Sequence, residues 1–316
     1  MTLLRCLVPV LFVVFLPARA AEPPSRAAVA SAHPLASAAG MEVMDAGGNA
    51  FDAAVAVSAA LTVVVPNGSG LGGGGFWLLH RAEDRFETFV DGRERAPLAS
   101  SADMYLDENG APITKASREG PLAAGVPGLP AALVHMAETY GALPLAQNLA
   151  PAIRLAREGY PVYPRLRTGL TARRDLLARS PAAAEVFLVD GEVPELGHVI
   201  VQPRLAETLE RIAGEGHDGF YRGPVAEALV DGSRSGGGIW TLEDFAAYEV
   251  VEREPIVATW RGMRALMAPP PSSGGVAMAT LFQILSAYEF DRYSRLEQVH
   301  LLVEAMRRAY RDRAIY

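Results

Sequence analysis

The chain has 316 residues, 50% hydrophobic and 21% charged, enough apolar material for one large domain or two smaller ones. Its formal net charge is −7 with no lysine/arginine block (Lys115 is the single lysine), which argues against nucleic acid as a partner. Cys6 is the single cysteine, so no cysteine pair is available for a disulfide or a cysteine metal site.

Arg5, the apolar run Cys6 to Leu16 and then Ala18-Arg19-Ala20 predict a secretory signal peptide over residues 1–20, cleaved after Ala20. The run is too short for a stable membrane anchor, which needs about 20 apolar residues. The expected location is therefore periplasmic or secreted. Removing 1–20 also removes Cys6, leaving a disulfide-free exported protein. Residues 21–30, rich in Ala, Pro and Ser, read as a flexible leader, with the main domain from 31 to 316.

The stretch from Asn49 predicts a helix from Phe51 to about Val65, apolar all round and so buried on every side. Asn49 is its N-cap and Asp52 the capping-box partner. "PNGSGLGGGGFWLLH" follows, with six glycines between Gly68 and Gly75. Gly68, Gly70 and Gly73 fit the dinucleotide pattern G-x-G-x-x-G. That pattern needs strand, loop, helix, whereas here a helix precedes the loop and a predicted strand, Phe76–His80, follows it. A polar turn leads to a returning strand, Arg85–Val90. "DGRERAP" then places Asp91, Arg93, Glu94 and Arg95 just beyond a core strand, where sites tend to lie. A guanidinium there suits bidentate capture of a carboxylate.

Between 130 and 230 helices dominate. "LPAALVHMAETYG", "LAPAIRLAREG", "LAETLERIAGEG" and "PVAEALVDG" are each expected to close at their final glycine. Thr241 caps a short helix with Asp244 at its third position. "PIVATWRGMRALMAP" reads as one or two strands, and "PPPSSGG" as a rigid turn into another helix. In the last segment Leu296, Val299, Val303, Met306 and Tyr310 recur at helical spacing. No cap follows, so the segment is expected to be cut from something longer.

The six histidines lack metal-ligand spacing, so no metal is expected. Ser272 and Ser273 lie outside any G-x-S-x-G elbow and read as turn-fixing hydroxyls.

Taken in order, Gly47 to Ala56, Gly70 to Phe76, Arg93-Glu94 with Ala96-Pro97, Gly125 to Gly128, Phe220 to Gly223, Thr241 to Asp244 and Pro269 to Gly275 resemble the γ-glutamyltranspeptidase family from about residue 27 to 316. The resemblance implies an α+β fold, the αββα sandwich of N-terminal-nucleophile hydrolases. It implies an exported precursor that cuts itself before a threonine, which then attacks the γ-glutamyl bond of glutathione and related compounds without a cofactor. This chain resembles the large subunit, with the small subunit of the same precursor as its partner. The catalytic threonine is then expected beyond Tyr316, with no catalytic residue in this chain. Arg93 matches the family's arginine for the substrate α-carboxylate. A related architecture serves cephalosporin acylases, which cut glutaryl-type amides, so that chemistry stays open beside a non-catalytic remnant.

Overall fold

The computed structural model describes residues 27–315. The signal-peptide segment and residues 21–26 of the leader lie outside them. Residues 27–30 form neither helix nor strand, and Val29 lies against Gly40 of the first helix.

Helix α1 (Pro34–Asp45) is capped by the imidazole of His33, which accepts from the Leu35 amide. It packs on α2 (Ala50–Val64), the apolar helix read from the sequence. Val55, Ala56, Ala59, Ala60, Val63 and Val64 of α2 are fully buried. At its start Asn49 Oδ1 accepts from the amides of Phe51 and Asp52, and Asp52 returns the capping box to the Asn49 amide. The Asp52 carboxylate, itself fully buried, also accepts from the amides of Ala142 and Leu143 and from Asn148 Nδ2. One acidic side chain thus caps the start of one helix and fixes the loop leading into another.

The glycine loop joins α2 to an antiparallel hairpin, β1 (Gly75–Arg81) and β2 (Phe86–Gly92), each slightly longer than expected. Helices α3 (Leu129–Tyr140) and α4 (Leu145–Glu158) pack on α2. Beyond them come β3 (Tyr160–Pro161), α5 (Pro164–Ala178), α6 (Pro181–Phe187), β4 (Val199–Ile200), α7 (Pro203–Glu215), α8 (Asp218–Tyr221), α9 (Gly223–Ser235) and α10 (Leu242–Ala246). Three of the expected glycine stops hold: Gly141, Gly159 and Gly216 end α3, α4 and α7. The fourth is corrected. Helix α9 runs through Gly232 to Ser235 and is capped at Gly236, because Val230 and Ser233 are buried and hold the last turn. Gly232 has open space around it and a helical backbone.

Strand β5 (Val251–Arg253) joins the far side of β2, giving the order β1-β2-β5. The final part is a hairpin, β6 (Ile256–Trp260) and β7 (Met263–Met267), followed by α11 (Ser273–Ser286) and the long α12 (Arg295–Ile315). These elements pack mainly on one another. The main apolar core runs from Ala36 to Tyr248 and contains none of their residues. Arg264 reaches back with both terminal nitrogens to the Glu87 carboxylate on β2. No helix among the described residues is long and apolar enough to cross a membrane.

Candidate functional site at the end of strand β2

Strand β2 ends at Gly92, opposite Gly75 at the start of β1. The next residue is Arg93, and its backbone is held on both sides by side chains. Asp91, 6% exposed, accepts from the Arg93 amide through Oδ1 at 3.1 Å. Asp91 Oδ2 accepts from Arg253 Nε of β5 at 2.9 Å. In the β2–β5 register Asp91 faces Val251, which puts Arg253 at the diagonal position on the same face. The Arg93 carbonyl accepts from the hydroxyl of Tyr248 at 2.7 Å.

Tyr248 is 2% exposed, lying between the ring of Tyr221 (centroids 5.4 Å apart, planes 11° apart) and the guanidinium of Arg95, 5.2 Å above its face. Burial pushes its phenol up to about 12; Arg95 pulls against that and Asp91 and Glu94 add to it. The hydroxyl therefore stays a donor at any neutral or mildly alkaline pH.

The guanidinium of Arg93 is the free part. Its side chain is 59% exposed, with one loose ion pair to Glu94 Oε2 at 3.4 Å and a position over the Phe76 ring at 5.7 Å. Arg95, two residues on, is already committed: its Nη2 donates to the Glu249 carbonyl at 2.8 Å, besides covering Tyr248. Its backbone pairs with Val126 through both groups.

The glycines explain how these parts come so close. A Cβ on Gly74 would sit 2.5 Å from the Gly92 carbonyl oxygen and 2.9 Å from the Glu94 amide. A Cβ on Gly128 would sit 2.1 Å from the Tyr248 hydroxyl and 2.3 Å from the Gly92 carbonyl. The Gly73 carbonyl accepts from the amides of Gly128 and Leu129. What passes close to the glycine loop is thus the chain's own strand end. Helix α2 packs chiefly on α1, α3 and α4, and Trp77 Nε1 of β1 donates to its Ser58 Oγ.

Sequence motifs that looked unrelated converge here. Gly125 to Gly128 supplies the Val126 pairing and the room for Tyr248. Tyr221 donates to the Pro127 carbonyl and stacks on Tyr248. Asp244 caps α10 through Thr241 and accepts from the Leu98 amide at 2.6 Å, pinning the chain beyond Arg95. Asp91 was named beside Arg93 in the sequence, whereas Tyr248 and Arg253 were not singled out. The one signal that pointed to them was the capping box at Thr241, which fixes where the chain enters Tyr248.

The remaining candidates have structural partners. Ser272 caps α11, and Ser273 accepts from Arg313 Nε. His135 and Tyr140 meet the Glu252 carboxylate, which Thr88 also reaches. His217 stacks on Tyr221. No group of three or more potential metal ligands occurs among the described residues.

The sequence model of the family described as gamma-glutamyltranspeptidase matches residues 36–316. A glutathione hydrolase proenzyme of Pseudomonas sp. (strain A14) is 42% identical over 291 residues, covering 91% of this chain and 50% of that protein. The acylase ACY 1 proenzyme of Pseudomonas sp. (strain V22) is 39% identical over 299 residues, covering 92% of this chain and 53% of that protein. The crystal structure of Helicobacter pylori gamma-glutamyltranspeptidase superposes with a TM-score of 0.90 at 38% identity, over 93% of this chain and 85% of that one. The chain spans about half the length of the curated relatives it matches. With the mixed helix-and-sheet fold of the N-terminal-nucleophile hydrolases and an ordered family match over nearly its whole length, this chain belongs to the gamma-glutamyltranspeptidase family.

Proposed function

We propose that this chain is the large-subunit part of an exported γ-glutamyltransferase/glutathione hydrolase, in which Arg93 holds the α-carboxylate of the γ-glutamyl group. The observation that carries the reading is the contrast at the end of β2: the Arg93 backbone is clamped by Asp91 and Tyr248 while its guanidinium is left exposed. A planar, permanently charged fork on a rigid support is what bidentate carboxylate recognition requires. Arg95 has the same chemistry, but its Nη2 is bound to the Glu249 carbonyl and its plane covers Tyr248.

In this reading the precursor cuts itself, and the new N-terminal threonine of the small subunit forms the acyl-enzyme, its own α-amine serving as base. The acyl group then passes to water or to an amino acid. The small subunit covers the exposed apolar stripe of α12. The 316-residue chain alone is accordingly expected to release no nitroaniline from γ-glutamyl p-nitroanilide. Export follows from residues 1–20, and an intact mass of the secreted protein starting at Ala21 is the expected result.

In the processed enzyme Arg93→Lys keeps the charge and loses the fork. The KM for γ-glutamyl p-nitroanilide is expected to rise strongly, with self-cleavage intact, while Arg95→Lys leaves KM within about threefold. The reverse pattern would move the site to Arg95.

The acylase relative at 39% identity gives a second reading, cleavage of glutaryl-type amides. A glutaryl group keeps the carboxylate at the same distance from the scissile carbonyl and lacks the α-amine, so Arg93 serves both substrates. Comparing γ-glutamyl and glutaryl anilides on the unaltered enzyme separates the two readings.

A further inference from the structure

We propose that Tyr248, with the Asp91–Arg253 pair, is a positioning device for Arg93, acting on substrate binding only through that arginine. The proposal rests on the reading of Arg93 as the carboxylate-binding residue. Its own basis is geometric. Both polar groups of Arg93 are taken by side chains, the amide locally by Asp91 Oδ1 and the carbonyl by Tyr248 Oη from 155 positions away. Each of those side chains is itself fixed. Asp91 is held by Arg253 across β2–β5. Tyr248 is fixed by its stack with Tyr221, whose hydroxyl donates to the Pro127 carbonyl, and by the Arg95 cover.

The space for this clamp is built in. At Gly128 the phenol passes over the backbone, and a side chain there would strike the hydroxyl. Tyr248 does not itself face solvent, so it is no substrate contact. Its hydroxyl is used entirely on the arginine's carbonyl. What the arrangement does chemically is restrict the φ and ψ of Arg93. A flexible four-bond side chain then starts from one fixed origin, which reduces the ordering cost of binding a carboxylate.

The test uses Tyr248→Phe, which deletes the hydroxyl and keeps the stacked ring, in the processed enzyme. Two substrates are compared: γ-glutamyl p-nitroanilide and 4-aminobutanoyl p-nitroanilide, which lacks the α-carboxylate. KM for the first is expected to rise roughly two- to tenfold with kcat nearly unchanged, the size of one lost hydrogen bond. KM for the second is expected to stay the same, and Tyr248→Phe added to Arg93→Ala is expected to change nothing further. An unchanged KM for γ-glutamyl p-nitroanilide, or an equal rise for both substrates, overturns the proposal. So does a full additional loss on the Arg93→Ala background. Arg93→Ala alone decides the underlying reading: if it leaves KM unchanged, the carboxylate assignment fails. If it raises KM while the Tyr248 arm is flat, only the clamp fails. Should Tyr248→Phe not yield processed enzyme, Arg253→Gln, at a half-exposed position on the sheet edge, gives the same readout through Asp91.

Discussion

Helices α2 and α12 both carry large apolar residues and meet opposite fates. Helix α2 is apolar all round, and α12 bears an apolar row at helical spacing. In α2 the apolar residues are shut away among α1, α3 and α4. In α12 the residues that define the stripe face solvent: Leu296 is 80% exposed, Tyr310 55% and Val303 47%, and Ala305 and Ala309 alone are buried. Periodicity therefore identifies which side of a helix is apolar, and packing partners decide whether that side is covered. Around α2 the chain supplies its own partners. Around α12, α11 covers one narrow side.

The largest expected effect lies in the first region. Asp52→Ala removes the acceptor for four donors in a fully buried setting. It should cost on the order of 3–5 kcal/mol or prevent folding, as read by urea unfolding. A loss below 1 kcal/mol would mean the region is less rigid than its burial implies.

A like-for-like pair sharpens the comparison. Val63→Ala in α2 is expected to cost about 2 kcal/mol, and Val303→Ala in α12 less than about 0.5 kcal/mol in this chain alone. Repeating Val303→Ala with the companion subunit present should raise its cost towards that of Val63. If it stays neutral there, the α12 stripe is not the subunit contact.

The smallest effect concerns the tie between the regions. The Arg264 guanidinium holds the Glu87 carboxyl below its ordinary range, against desolvation, with a further push from His80. A depressed carboxylate pKa means the folded chain favours the ionised form. Its contribution is complete above the unfolded carboxylate range, near 4.3, and is lost as pH falls through the folded value. Acid should thus loosen the β6–β7 hairpin from β2, measured as faster amide exchange in Met263–Met267 below about pH 4. Arg264→Ala should abolish that pH dependence.

Much of the fold was legible because its signals are local. The capping boxes at Asn49 and Thr241 and the β1–β2 hairpin depend on residues a few positions apart, and all three form as expected. Helix α9 overran its expected stop because the cost of an internal glycine was outweighed by burial of Val230 and Ser233 further on. Arg93 was visible from its place after a strand. Asp91 was named beside it, but the supports from Tyr248 and Arg253 were not legible, because Asp91 meets Arg253 across 162 positions and Arg93 meets Tyr248 across 155. No spacing rule reaches that far. The role of the glycine loop was not legible for the same reason: its steric demand comes from Gly92 and Glu94, about twenty residues downstream.

The central claim is that the Arg93 guanidinium reads a carboxylate, and an enzyme-by-substrate cycle tests it most directly. In the processed enzyme, kcat/KM is measured for γ-glutamyl and 4-aminobutanoyl p-nitroanilide with Arg93 intact and with Arg93→Ala. With Arg93 intact, removal of the carboxylate should cost roughly thirty- to several-thousand-fold, equivalent to about 2–5 kcal/mol. With Arg93→Ala that penalty should nearly vanish. An undiminished penalty in the variant would contradict the account, because the carboxylate would then be bound by another group.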